Sequence, residues 1–223
     1  MLSENELLQR IELLAHKLKN PSHTMGLNLE VLRAKIEKSD LASKTELLNL
    51  MEIIGRELQR QNQIIQRHMQ FITPGGSSPR PLKLKNLLTL LKAEVFPAAQ
   101  AQQVNLEFGT VDSDVMLQAN ETEILAALRE FVFNAIEASR AGETVTIRAG
   151  ATAGEVVLEI EDHGTGIEKA EAGKILELYY SNKKGHLGMG LPLAKKYIEE
   201  NGGKLRLRTA VNKGTTIQIS FEK

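Results

Sequence analysis

Six residues of this chain have types and spacing that could do chemistry: Asn134, Asp162, Gly164, Gly166, Gly188 and Gly190. Asp162 opens the run Asp162-His163-Gly164-Thr165-Gly166-Ile167 at the end of a predicted strand. Gly188-Met189-Gly190 comes later, just ahead of a predicted helix. Asn134 lies upstream in the helical segment Glu130-Phe131-Val132-Phe133-Asn134. A carboxylate at a strand end, two glycine turns and an amide on a preceding helix are the parts needed to hold a nucleotide. One such glycine pair alone is weak evidence. The three elements in order are strong evidence.

Far upstream stands His16. It sits two residues from a hydrophobic stripe position, about 200° around a helix, and so is expected to face solvent. Pro21 should bend or loosen the helix just beyond it. An exposed imidazole with a free ring nitrogen is a usable nucleophile at neutral pH.

The elements that must position these groups fall into two segments. Residues 1–72 read as helix, with one proline and two glycines. Leu7, Ile11, Leu14, Leu18, Met25, Leu29, Leu32 and Ile36 step at helical intervals. So do Leu47, Met51, Ile54, Leu58, Ile65 and Ile72, with Gln61 and His68 completing the stripe. The short break at Lys38-Ser39-Asp40 predicts an antiparallel hairpin. A hairpin of this size cannot enclose its own apolar seam, whereas two copies forming a four-helix bundle would, which predicts a homodimer. Residues 73–81, Thr73-Pro74-Gly75-Gly76-Ser77-Ser78-Pro79-Arg80-Pro81, read as a flexible linker unable to sustain helix or strand. In residues 82–223 the period changes. Strands are predicted at 104–108, 115–117, 144–149, 155–162, 204–209 and 215–221, and helices near 85–101, 121–139 and 190–201. Strands grouped with helices predict an α/β sandwich with helices on one sheet face. Asn120 or Thr122 should cap the middle helix, and Asn201-Gly202-Gly203 should end the last. Residues 167–188 carry several lysines and no clear strand, which predicts a mobile lid.

Composition narrows the function classes. Of 223 residues, 42% are hydrophobic and 25% charged, the balance of an ordinary globular protein. The 28 basic and 28 acidic residues cancel, so no global field argues for nucleic acid or an acidic membrane as partner. With no cysteine there is no disulfide, thiolate metal site or thiol catalysis. No membrane span or signal-peptide core is evident, and a cytoplasmic location is expected.

At this point the motifs resemble a known family. Ala15-His16-Lys17-Leu18-Lys19-Asn20-Pro21 resembles the H-box of two-component sensor histidine kinases. Glu130 to Asn134 resembles their N-box, Asp162 to Gly166 their G1 box, and Gly188-Met189-Gly190-Leu191 their G2 box. Leu176 to Lys184 resembles the aromatic stretch before the lid. The similarity covers almost the whole chain in the family's order. It also joins the C-terminal domain to the wider superfamily of gyrase, chaperone and mismatch-repair ATPases. Asn134-Ala135-Ile136-Glu137-Ala138 and Gly190-Leu191-Pro192-Leu193-Ala194 look most like the nitrogen-regulator-type subgroup.

The resemblance implies ATP and Mg²⁺ as cofactors and a response-regulator receiver domain as partner. Asp162 would accept a hydrogen bond from the adenine amino group, with Gly164 and Gly166 turning beside the base. Glu130 and Asn134, four apart on one helix face, would supply oxygens to Mg²⁺. Gly188 and Gly190, at a helix start, would hold phosphate oxygens, with Lys183 adding charge at the γ-phosphate. Thr215 matches a position on the adenine side. His16 would be the phosphoacceptor. Asn20, one turn on, could position a water that hydrolyses the regulator's phospho-aspartate.

Two positions depart from the family pattern. Lys17 stands where an acidic residue usually accepts the second imidazole proton, and a protonated lysine cannot be that base. Slow autophosphorylation is therefore expected, unless His23 or Glu12 substitutes. His186-Leu187-Gly188 replaces a more usual Gly-Thr-Gly, which should stiffen the phosphate loop. Two other functions stay open: a phosphotransfer or scaffold protein with weak kinase activity, and an ATP-driven clamp.

Overall fold

The structure is a computed structural model. It describes residues 23–35, 44–72, 79–112, 114–152, 154–181, 183 and 187–222. The chain divides into two compact units, Met1–Ile72 and Thr73–Lys223.

Two helices are described in the first unit, α1 over residues 23–35 and α2 over Lys44–Ile72. Lys35 and Glu46 form an ion pair that ties the end of one to the start of the other. The apolar residues of α2 fall on two sides, and the predicted Met51, Leu58 and Ile65 lie on the exposed one. Ile64 is buried, with Ile53 and Leu50 half-buried on the same side. Leu48, Met51, Leu58, Ile65 and Met69 line the other side and are exposed. A helix apolar on two sides has two partners to satisfy. The Lys38-Ser39-Asp40 break, Pro21, and the residues His16, Lys17 and Asn20 lie outside the described residues.

The second unit is an α/β layer pair. Its five-stranded sheet has the order β2-β4-β5-β7-β6, from Asn105–Phe108, Thr144–Ala151, Glu155–Asp162, Gly214–Glu222 and Gly203–Ala210. Among the described strands, the β2–β4 pair alone is parallel. The β5–β7 register sets Asp162 opposite Thr215, and the β6–β7 register sets Thr209 opposite the same threonine. Strand β5 alternates buried and half-exposed residues along its length, the period of a strand with one covered face. Helices α3 (Leu84–Ala101), α4 (Glu121–Ala138) and α5 (Gly190–Glu200) cover that face. The opposite face carries Arg148, which bonds both Glu159 and Glu161.

Helix α4 shows why the sequence folds this way. Ile124, Ala127, Leu128, Phe131, Val132, Ala135 and Ile136 recur at helical spacing and are all buried. Each large side chain among them contributes roughly 1.5–3 kcal/mol by leaving water. The Asn120 side chain caps the helix, accepting from Thr122 N at 3.1 Å and Glu123 N at 3.3 Å. At the end of α5, Asn201 is the C-cap and Gly202 takes a left-handed φ of 77°.

Residues 80 and 81, expected to lie in a linker, are instead part of strand β1, Arg80–Lys83. It pairs antiparallel with β3, Met116–Ala119, in a separate two-stranded sheet. An outer strand of this kind tolerates Pro81, because its missing N–H can be turned away from the partner. Within the lid stretch the described residues hold turns and one 3-10 turn, Lys174–Leu176, and no strand.

Candidate functional site

The end of β5 delivers Asp162 into the interior, only 5% exposed. Its Oδ1 accepts from Gly164 N at 2.9 Å and from Thr215 N at 3.2 Å. Burial pushes its carboxyl above the ordinary carboxylate range, and those two amides pull back only in part. Among the described contacts Oδ2 has no protein partner, leaving one carboxylate oxygen for a ligand.

The turn after Asp162 is wedged between two other elements. Thr165 N donates to Ala138 O, at the end of α4, at 3.2 Å. On the other side, Asn212 N donates to Thr165 O at 2.7 Å, from the β6–β7 turn. Any side chain at Gly164 would collide with the Ala138 carbonyl. Gly166 has φ 63°, where its Cβ would strike the Ala210 carbonyl. The backbone there needs glycine twice over, for its dihedral and for the close approach.

Three polar residues line the face of α4 away from its core. Glu130 and Asn134 are half-buried and Glu137 is exposed, spaced four and three apart on one stripe. Asn134 Nδ2 donates to Glu130 O at 2.7 Å. That bond orients the amide, so its oxygen is turned outward as an acceptor. Lys183 Nζ lies 2.5 Å from Glu137 Oε2 on the same stripe. The structure thus brings Lys183 beside the Asn134 helix face, paired with a carboxylate. Among the described residues no three His, Cys, Asp or Glu side chains gather as a metal site.

The second glycine turn packs against the aromatic stretch. Tyr179 N donates to Gly188 O at 2.8 Å, and Tyr180 Oη donates to Glu171 at 2.7 Å. Tyr179 itself has φ 66°. Such a backbone is strained for a tyrosine, by about 1–3 kcal/mol, and strain of that kind collects at functional sites. Helix α5 starts here with Gly190; no side chain caps it, and its first turn holds no acid. Its leading N–H groups and dipole favour an anion. His186 lies outside the described residues.

The predicted site residues that the structure describes fall into three groups, one of them Gly188 and Gly190 at the start of α5. Asp162, Gly164, Gly166 and Thr215 form one buried corner. Glu130 and Asn134 share the α4 stripe, which Lys183 reaches through Glu137. Three others were not among the predicted site residues. Thr209 bonds to Ile167 N and lies 3.0 Å from the Thr215 hydroxyl. Gly214, with φ 82°, leaves no room for a Cβ beside the Asp162 carbonyl. Glu137 holds Lys183. Contacts through space of this kind have no linear spacing to betray them, although the Gly214-Thr215 pair at a strand start was a usable signal.

Residues 119–223 match the family model described as "Histidine kinase-, DNA gyrase B-, and HSP90-like ATPase". Sensor histidine kinase ZraS of Salmonella typhi is 24% identical over 207 residues, covering 92% of this chain and 43% of that protein. Sensor protein DegM of Bacillus sp. (strain B21-2) is 26% identical over 208 residues, covering 93% of this chain and 52% of that protein. The chain spans about half the length of these curated relatives. Histidine kinase ThkA, solved in complex with response regulator protein TrrA, superposes with a TM-score of 0.72 at 20% identity. That match covers 98% of this chain and 61% of that one. ShkA, solved in complex with AMPPNP, has a TM-score of 0.66 at 19% identity, covering 94% of this chain and 45% of that one.

Proposed function

We propose that the chain is a histidine kinase catalytic core that autophosphorylates His16 from ATP and passes the phosphoryl group to an aspartate of a response-regulator receiver domain, a reading supported by the ATPase model matched over residues 119–223 and by the sensor-kinase relatives. The observation that carries this reading is the buried Asp162, with one oxygen held by two backbone amides and the other left for a ligand donor. Adenine presents an amino group as such a donor, and guanine presents a carbonyl oxygen in its place. The nitrogen-regulator-type subgroup is favoured by the Asn134-Ala135-Ile136-Glu137-Ala138 run.

Each group has a part. Asp162 and Thr215 hold the base. The start of α5, from Gly188 to Gly190, receives phosphate oxygens. The outward oxygen of Asn134, with Glu130 one turn before it, suits Mg²⁺, a hard cation that keeps much of its water. A Mg²⁺ held there would supply charge neutralisation to the phosphates. Lys183 leaves Glu137 to meet the γ-phosphate. At His16, the Nε2 lone pair attacks phosphorus as the bond to the bridging oxygen breaks, and ADP leaves with that electron pair. The Nδ1 proton stays on the ring until a base removes it. Homodimerisation is supported by the exposed apolar side of α2, Leu48, Met51, Leu58, Ile65 and Met69, with Leu27, Leu29 and Val31 on α1. In a dimer the helices would bury these seams as a four-helix bundle.

Incubation with γ-labelled ATP and Mg²⁺ tests the reading. Acid-labile label on the protein supports it. Released phosphate with an unlabelled protein supports an ATP-driven clamp, and nucleotide binding with neither supports a scaffold. The lysine after the acceptor gives a further expectation. Lys17→Glu restores a base for the Nδ1 proton, and the labelling rate rises by about 10²-fold or more, the usual worth of a positioned base. A rate no higher than the parent's shows that Lys17 does not limit the reaction.

A further inference from the structure

We propose that Thr209 sets the base specificity of this site by holding the Thr215 hydroxyl as a hydrogen-bond acceptor. The inference rests on the ATP reading above and adds a positioning residue to it. A hydroxyl has one proton and two lone pairs. Thr209 Oγ1 accepts from Ile167 N at 2.9 Å, which occupies one lone pair. It donates to Gly214 O at 3.1 Å, which commits its proton. What remains is one lone pair, and Thr215 Oγ1 lies 3.0 Å away. Thr215 is therefore the donor across that contact. With its proton spent on Thr209, the Thr215 hydroxyl has only lone pairs left to offer.

The consequence falls on the base. Asp162 opposes Thr215 across β5 and β7, and Asp162 Oδ1 already takes Thr215 N. An ionised carboxylate is also acceptor-only. Two acceptors side by side match an edge that carries an amino group, directly or through a water. They repel an edge that carries a carbonyl oxygen. Asp162 alone leaves a loophole, because a freely turning Thr215 could donate to such an oxygen. Thr209 closes it. Thr215 is 9% exposed and Thr209 half-buried, so bulk water does not easily replace the contact.

The test compares ATP and GTP affinities by calorimetry in the presence of Mg²⁺ for the full chain. Thr209→Val keeps the shape of the side chain and removes its hydroxyl, which frees the Thr215 proton. The ATP-to-GTP affinity ratio falls about tenfold, the worth of one hydrogen bond gained or lost. Thr209→Ser keeps the hydroxyl and the parent ratio. A merely structural role would weaken both nucleotides together and leave the ratio alone. A ratio unchanged in Thr209→Val, or lowered as far in Thr209→Ser, overturns the inference while leaving ATP binding standing. A parent that binds no ATP overturns the reading beneath it. If Thr209→Val melts below the assay temperature, Thr209→Ala carries the same comparison.

Discussion

Asp162→Asn lowers ATP affinity by about 100-fold while the melting temperature at neutral pH stays the same or rises. The first half follows from the acceptor set. The substitution presents an amide NH₂ where the adenine amino group needs an oxygen, and a hydrogen bond to a charged group is worth roughly 1.5–3 kcal/mol. The second half follows from burial. Desolvation lifts the Asp162 carboxyl above the ordinary range, more than the Gly164 and Thr215 amides lower it. The ionised form therefore costs the folded state free energy at any pH above that raised value. Asparagine keeps the Oδ1 acceptor for both amides and removes the buried charge. Its stability gain is present at neutral pH. It disappears on acidification, once pH falls below the unfolded carboxyl's ordinary value and both states are protonated. ATP affinity of the parent runs the other way. It declines as pH drops through the raised pKa, earlier than an ordinary aspartate would allow, because a protonated carboxyl loses the acceptor. Calorimetric titration with ATP and a thermal melt of the same samples check both halves. A variant that loses stability and affinity together would make Asp162 a structural residue.

Asn134→Ala lowers the autophosphorylation rate by about 10³-fold and leaves binding of metal-free ADP within a few-fold of the parent. The bond from Asn134 Nδ2 to Glu130 O sets the amide so that its oxygen faces away from its own helix. That oxygen is proposed to meet Mg²⁺. Positioning and charge neutralisation account for nearly all catalysis of phosphoryl transfer, so a misplaced metal is felt in the rate. The adenine corner at Asp162 lies on other elements and keeps its contacts. Aspartate at the same position retains an oxygen ligand, and Asn134→Asp is expected to keep more activity than alanine. Labelling rates with Mg²⁺ and titrations with ADP in chelator separate the two effects. Equal loss of ADP binding would place Asn134 in the base pocket instead.

What the sequence disclosed follows from periodicity. Strands β4 to β7 and helices α3 to α5 were legible because one covered face imposes a period of two or 3.6 on the residues. Asp162, Gly164 and Gly166 were legible because a tight turn after a strand restricts residue type. Strand β1 was hidden by prolines on both sides of Arg80, a composition that reads as linker and is tolerated only because the strand has one partner. The buried side of α2, with Leu50, Ile53 and Ile64, was missed because the neighbouring series through Met51, Leu58 and Ile65 repeats at the same helical spacing. The Thr209–Thr215 hydroxyl pair and the Lys183–Glu137 ion pair were hidden for another reason. They join residues through space, six and 46 positions apart, and no local pattern marks them.

The central claim is that the nucleotide corner around Asp162 serves His16. Fragment mass spectrometry of the chain after incubation with Mg²⁺ and ATP tests it most directly, beside His16→Gln checked for ATP binding. The account predicts one phosphoryl group on the His16 imidazole of the parent, and none on His16→Gln although ATP still binds. A phosphoryl group on another residue, or an ATP-binding parent that never carries one, would contradict it.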